Sequence, residues 1–341
     1  MDQTVFTLFG LPVTGYALGC MLAMLCGLAV TLPRVLRLGL GWGGFIRLCF
    51  CVIPLAWFCS RALYVLADLA VGVIESSYYI NTLGNPLPAL YFWEGGYSVS
   101  GAILGAILGA KIAEKWLHTE TGALRDSLCV GLPLAVLIER LCEAGTGLGL
   151  GRPVTWAWLA KSGLCPTVEG EAVYPIFFFE ALFCLALVVL MEELGQRPIK
   201  RTGGDLTRIF LVIYGIGQVL FESFRQDGHM VKHFVHVQQV VAIVFVVAVL
   251  VRWSVRMARA PQVRRGMKQS LLLMVWLLTL AGIGVAVWAE FGVDRWGNRL
   301  GAYGLMAACL ALIATQVCIV RRYAYVRGGE RIGTREDPAD Q

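Results

Sequence analysis

Charge is scarce in this sequence. Asp, Glu, Lys and Arg together make up 15% of the 341 residues, against 57% hydrophobic ones, and the mean hydropathy is +0.69. Soluble domains carry about 25% charged residues, so an ordinary water-exposed surface is excluded and the bilayer becomes the expected solvent. Also missing is any Gly-, Pro- or Ser-rich linker long enough to set off a soluble domain, which leaves one membrane domain. The 11 cysteines have no metal-type spacing, and Cys20, Cys26, Cys49, Cys51, Cys59 and Cys184 fall in apolar runs, as small buried hydrophobes do. Cys142 and Cys165 share a loop placed outside, where a disulfide is one open reading. No internal repeat is evident, which weakens a transporter built from inverted halves. The net charge of +6 comes from basic residues scattered over short loops rather than gathered on a stripe, an arrangement that orients a chain in a membrane and argues against nucleic acid as a partner.

Nine apolar runs are present, at about 8–30, 45–74, 96–116, 127–139, 175–191, 207–224, 236–251, 269–289 and 301–320. The expected fold is therefore an all-α integral membrane protein of about nine transmembrane helices. The first run follows an acidic residue and lacks a small-residue cleavage site, so it is expected to remain as the first helix. The run at 127–139 is short for a crossing and fits a tilted or partly buried helix. With the N-terminus outside, the loops and tail assigned to the cytoplasm hold 21 Lys and Arg and the external loops hold 7, so the positive-inside rule places the N-terminus outside and the C-terminus inside.

Two runs carry more than apolar residues. Gly101, Gly105 and Gly109 recur at four-residue spacing and leave a flat helix face, most often used for close packing. Arg61 and Asp68 stand two turns apart on one helix face, where a structural ion pair and a functional site fit equally well.

Arg140 and Arg225 are the most informative positions, because each ends an apolar run on the same expected side of the membrane. Guanidinium groups at headgroup depth match the oxygens of a phosphodiester with two-pronged geometry, although an interfacial anchor is the plainer role for either alone. Beside Arg140 run Gly145, Gly147, Gly149 and Gly151, whose small size lets backbone amides approach a ligand. His229, His233 and His236 follow Arg225; on a helix they would share a face able to hold zinc, but a solvated or pH-sensitive loop explains them as well, so no metal and no cofactor is expected.

At these residues the chain resembles the prolipoprotein diacylglyceryl transferases. Arg140-Leu141 followed by Gly151 resembles the family's signature loop, and Gly95-Gly96-Tyr97-Ser98-Val99-Ser100-Gly101 resembles its Gly-Gly-x-Ser-x-His-Gly motif. Pro175 with Glu180, Tyr214-Gly215 with Glu222, Phe224 and Arg225, then Gln239, follow in the family's order, as do Tyr16 and Arg61 earlier. The resemblance implies a seven-helix transferase-like core at 1–255, with an additional C-terminal transmembrane hairpin at 256–325 and a polar cytoplasmic tail at 326–341. It implies a multi-pass protein of the bacterial cytoplasmic (plasma) membrane that transfers diacylglyceryl from phosphatidylglycerol to the lipobox cysteine of prolipoproteins, releasing glycerol phosphate. Its partners would be phosphatidylglycerol, prolipoprotein lipobox peptides and membrane lipids.

Departures from the pattern bear on the chemistry. The family histidine is Ser100, its signature-loop asparagine and glutamate are Glu143 and Leu148, Phe177 and Phe179 replace Gln and Tyr, Gln218 replaces an arginine, and the proline after Arg225 is missing. By resemblance, Arg140 and Arg225 would hold the leaving phosphate, while Tyr16, Arg61, Gly95, Gly96, Ser98, Ser100, Gly151, Glu180, Glu222 and Gln239 would line the substrate site. The base that forms the thiolate must then be sought among Glu143, Glu222 and the loop histidines, with Glu143 the leading candidate. A non-catalytic phospholipid-binding accessory membrane protein is the rival reading.

The orientation is testable by labelling single cysteines, in a cysteine-free background, with an impermeant thiol reagent on whole cells. Position 161 should react and position 265 should not; the opposite pattern would invert the topology.

Overall fold

In the computed structural model, the residues described are 4–8, 10–71, 95–196, 203–227, 230–232, 235–259, 265–293, 295 and 297–326. Trp93, Glu94, His229, His233 and the tail beyond Val326 lie outside them. A hairpin of β1 (Thr4–Leu8) and β2 (Leu11–Thr14) opens the chain and leads into α1 (Gly15–Arg37), α2 (Gly41–Val71), α3 (Val99–Trp116), α4 (Ala123–Leu128) and α5 (Gly131–Cys142). A small sheet follows, in the order β3 (Leu150–Pro153), β5 (Glu171–Pro175), β4 (Thr167–Val168), with the single turn α6 (Ala157–Ala160) inserted between β3 and β4. Then come α7 (Ile176–Gln196), α8 (Asp205–Phe224), the hairpin of β6 (Val231–Lys232) and β7 (Val235–His236), α9 (Val237–Arg259), α10 (Arg265–Gly292) and α11 (Arg299–Val326).

Each of the nine expected runs overlaps a helix, so the all-α membrane class stands. Among the described residues, six helices are long and apolar enough to cross a bilayer: those of α1, α2, α8, α9, α10 and α11. In α3 the 18 residues include Lys111, Glu114 and Lys115, and α7 includes Glu180, Glu192 and Glu193. The 127–139 run is the 12-residue α5, preceded by the separate six-residue α4. The first helix begins at Gly15 rather than near 8, because the preceding residues pair as strands and Thr14 caps the helix, its hydroxyl accepting from the Ala17 amide at 3.2 Å.

The chain forms two compact units, Met1–Phe245 and Val246–Gln341. In the first, small residues set the helix crossings. The α3 glycines lie on the backbone of α2: a Cβ at Gly101 would come within 2.5 Å of the Cys59 carbonyl oxygen, one at Gly109 within 2.6 Å of Cys51's, and one at Gly105 would run into Leu55's. Packing is thus what the four-residue stripe does. A second crossing, between α1 and α5, rests on Gly27 and Gly131, where a Cβ on Gly27 would stand 2.7 Å from the Gly131 carbonyl oxygen.

Polar contacts gather at the two ends of this bundle. At one end Arg34 pairs with Glu192, Arg125 meets Glu114 at 3.1 Å, and Asp126 accepts from the amides of Gly204 and Thr207 and from the Thr207 hydroxyl at 2.8–2.9 Å. These bonds to Asp126 satisfy donors at the start of α8 that the helix cannot pair itself. Burial pushes the Asp126 carboxyl above its usual range, while the bonds from Thr207 and Gly204 pull it back. The opposite end holds the charged cluster described below. In the second unit α10 packs on α11, with Ala286, Ala289, Ala302 and Met306 buried and the Arg321 guanidinium 5.9 Å from the Trp253 ring. All cysteines are free thiols, including Cys142, whose Sγ packs against Gly19, and Cys165, so the disulfide reading is set aside.

The crossing predicts that Gly105→Ala destabilises the fold by about 1–3 kcal/mol, as overpacking does. Gly284, with open space around it, should tolerate alanine or gain slightly, since helix-interior glycine costs about 0.5–1 kcal/mol. Unfolding midpoints in detergent compare the two.

Candidate active site

Four helix ends meet where the signature loop lies. The α1–α5 crossing at Gly27 and Gly131 brings the end of α5 to the start of α1, where the Tyr16 hydroxyl donates to Glu139 Oε1 at 2.6 Å. The loop after α5 is then laced to its neighbours through the backbone. Phe177 at the start of α7 donates its amide to the Gly149 carbonyl at 2.8 Å, and Gln226, just past α8, donates to Leu150 at 2.8 Å. Gly149 has a φ of +67°, and a Cβ there would meet Glu143 Oε2 at 2.5 Å and Phe177 Cβ at 2.6 Å, so only glycine fits. Gly151 is similarly confined, between Ile176 and the Phe224 carbonyl.

Between these ends lie Arg140 and Arg225, each 2% exposed. Arg140 Nη1 pairs with Glu143 Oε1, and its Nε lies 2.6 Å from Glu180 Oε2 and 3.6 Å from Glu139 Oε2. Arg225 Nη2 reaches the same Glu143 Oε1 at 3.3 Å, its Nη1 stands 3.7 Å from Glu180 Oε2, and its Nε and Nη2 both donate to Asp227 Oδ2. Asp227 Oδ2 also accepts the Gly149 amide at 2.6 Å. Two guanidinium groups therefore share two carboxylates, each through a single oxygen. Charges buried this way persist only when paired, and removing one partner of such a pair costs about 3–5 kcal/mol. Some polar atoms remain without a hydrogen-bond partner: Arg140 Nη2, Glu143 Oε2, Glu180 Oε1 and the Tyr214 hydroxyl. Buried atoms of this kind call for water or a polar ligand.

A second polar group adjoins the first through α8, where Glu222 precedes Arg225 by one turn. Glu222 Oε1 accepts from Gln218 Nε2 at 2.7 Å, and its Oε2 lies 3.5 Å from His236 Nδ1. Ser100 donates its hydroxyl to Gln238 Oε1 at 2.7 Å, and Ser98 reaches the same oxygen at 3.3 Å. Ser98 also caps α3 and is held to α2 through Ser60. Arg61 reaches the carbonyls of Gly95 and Gly96, fixing the turn that leads into α3, and stands over the Tyr64 ring.

Of the residues singled out from the sequence, Tyr16, Arg140, Glu143, Glu180 and Arg225 form one contiguous network with Glu139 and Asp227. Gln239 is engaged otherwise: its Nε2 donates to the Val219 carbonyl at 3.2 Å, pinning α9 to α8. Its neighbour Gln238, which drew no attention in the sequence, is the one that meets the serines. Glu139 and Asp227 were also passed over; the signal for them was an acid within two residues of each buried arginine. A cavity of about 450 Å³ opens beside the cluster, lined by Gly145, Gly147, Leu150, Cys165, Val168 and Phe177 among others.

The chain matches the sequence model of the prolipoprotein diacylglyceryl transferases over residues 3–255. It is 26% identical, over 67% of its length and 86% of the relative's, to the phosphatidylglycerol–prolipoprotein diacylglyceryl transferase of Clostridioides difficile. The enzyme of the same name from Bacillus licheniformis is 25% identical over 78% of this chain and 96% of the relative, and that from Symbiobacterium thermophilum 29% identical over 54% and 70%. All the charged residues of the network above fall inside the matched span, and the chain belongs to the prolipoprotein diacylglyceryl transferase family.

Proposed function

We propose that the chain transfers the diacylglyceryl group of phosphatidylglycerol to the lipobox cysteine of a prolipoprotein, as its family does. The observation that carries this reading is the convergence of Arg140 and Arg225 on one oxygen, Glu143 Oε1. An anionic oxygen already sits where two guanidinium groups meet, and a phosphodiester oxygen is the same kind of ligand. In this reading the lipid phosphate takes that position, and Arg140 Nη2 supplies a further donor. As the carbon–oxygen bond breaks, negative charge grows on the leaving phosphate, and fixed cations stabilise it there more than in the ground state.

Tyr16 holds Glu139, and Glu180 holds both arginines, so these residues keep the clamp's geometry. Glu143 belongs to the clamp through Oε1; its Oε2 is the atom that would act if this residue were the base. The positive-inside bias supports a site on the outer face of the cytoplasmic membrane, with the N-terminus outside, and prolipoproteins meet it there. The matched span of 3–255 favours 1–255 as the transferase core, with the hairpin and tail as additions.

A non-catalytic phospholipid-binding accessory protein is the second reading, favoured by Ser100 in the histidine position and by a clamp filled with its own carboxylate. Purified protein given labelled phosphatidylglycerol and a lipobox peptide decides. Lipidated thiol together with released glycerol phosphate is the expected result; lipid binding without either product would establish the accessory protein.

Arg140→Lys keeps the charge and loses the fork. Phosphatidylglycerol affinity should fall by about 1–3 kcal/mol, the scale of a hydrogen bond to a charged group. Lys161→Ala, on an exposed loop, should leave it unchanged. Equal effects in a vesicle-binding titration would show that the phosphate is held elsewhere.

A further inference from the structure

The transfer requires a base for the cysteine thiol, and the family position for one is Ser100, which cannot serve. Resting on the function proposed above, we infer that His236 is the base, with Glu222 as its positioning residue. Among the described residues there are two histidines, and the other, His118, follows the far end of α3, away from the clamp. His236 ends β7 and directly precedes α9. Its Nδ1 faces Glu222 Oε2 at 3.5 Å, and its side chain is 11% exposed, largely shielded from water.

A carboxylate beside one imidazole nitrogen is the arrangement that fixes the tautomer and leaves the other nitrogen to accept a proton. Glu222 is itself held by Gln218 at 2.7 Å, so the pair is supported from behind. Catalytic hydrogen bonds are often this long in a free protein and shorter in the substrate complex. Gln218 stands where the family has an arginine. That exchange removes a cation that would compete with His236 for Glu222, and it leaves a neutral donor in its place.

Placement ties the dyad to both substrates. Glu222 lies one turn before Arg225, so the base and the phosphate clamp share the end of α8. Ser100 donates to Gln238, two residues along from His236, so the helix position that lacks an imidazole is bonded to the segment that carries one. His236 and Ser100 thus stand at the same end of the bundle. Glu143 is the weaker candidate, because Oε1 is engaged by both arginines and forms part of the clamp that must receive the phosphate.

The step balances as follows. His236 Nε2 takes the thiol proton, and the sulfur attacks the glyceryl carbon that bears the phosphate. The S–C bond forms, the C–O bond to phosphate breaks, and its electron pair stays on the glycerol phosphate held by Arg140 and Arg225. The imidazolium then returns its proton to that phosphate or to water, and neutral imidazole is restored.

The test uses the full-length protein with phosphatidylglycerol vesicles and a lipobox peptide. His236→Gln should lower kcat at least about 100-fold, the usual contribution of a general base, while KM for phosphatidylglycerol and vesicle binding stay at the parent's values. His236→Ala should be equally slow and should regain activity when imidazole is added, which a merely structural histidine would not allow. Glu222→Gln should lower kcat less than either and leave vesicle binding intact. Transfer by His236→Gln within a few-fold of the parent, or loss of vesicle binding without rescue by imidazole, would overturn the assignment and leave the function standing. A parent that binds lipid and transfers nothing would overturn both.

Discussion

Two guanidinium groups buried at one end of a helical bundle impose most of what is specific about this protein. A buried cation survives only with partners, and here the partners come from three places: Glu139 and Glu143 from the end of α5, Glu180 from α7, Asp227 from the segment after α8. The cluster therefore holds helix ends together as much as it prepares a site. Removing an arginine would leave carboxylates facing one another in a low-dielectric setting, and removing a carboxylate would strand a cation. The close glycine crossings make this possible, because the Gly27–Gly131 contact sets where the end of α5 meets Tyr16.

The two ends of the bundle differ in character. Opposite the site, Arg34–Glu192, Arg125–Glu114 and the Asp126 bonds to α8 are local staples with fixed partners. At the site end, single oxygens serve two cations and several polar atoms have no partner. Both ends tie helices together, but only the site end leaves bonding capacity unmet, as a binding site requires.

Hydropathy made the helices legible and left their ends obscure. Runs such as 207–224 and 301–320 fall inside α8 and α11 because apolar length is itself the cause of a membrane helix. The start of α1 was misplaced because a cap and a strand pair decide it, and neither changes mean hydropathy. The run at 127–139 hid a break between Leu128 and Gly131, since the close approach of Gly131 to Gly27 depends on a partner far along the chain. Arg140 and Arg225 could be read from charge at the end of an apolar run. Their common partner Glu180 could be placed only through the resemblance, because its pairing across 40 residues to Arg140 is set by tertiary packing. Gln238 and Gln239 illustrate the limit: adjacent identical residues, of which the helix turns one to the serines and the other to the backbone.

On the proposed function, the shared oxygen of Glu143 would make the clamp an ion exchanger. If a phosphodiester replaces it, the lipid gains only the difference between two anions on the same pair of cations, not the full attraction of bare charges. Lipids without an anionic phosphate have nothing to trade. In that reading the same accounting would apply in reverse to glycerol phosphate, whose departure the tethered carboxylate would ease by reoccupying the arginines. A site built in this way would hold its substrate loosely and empty readily.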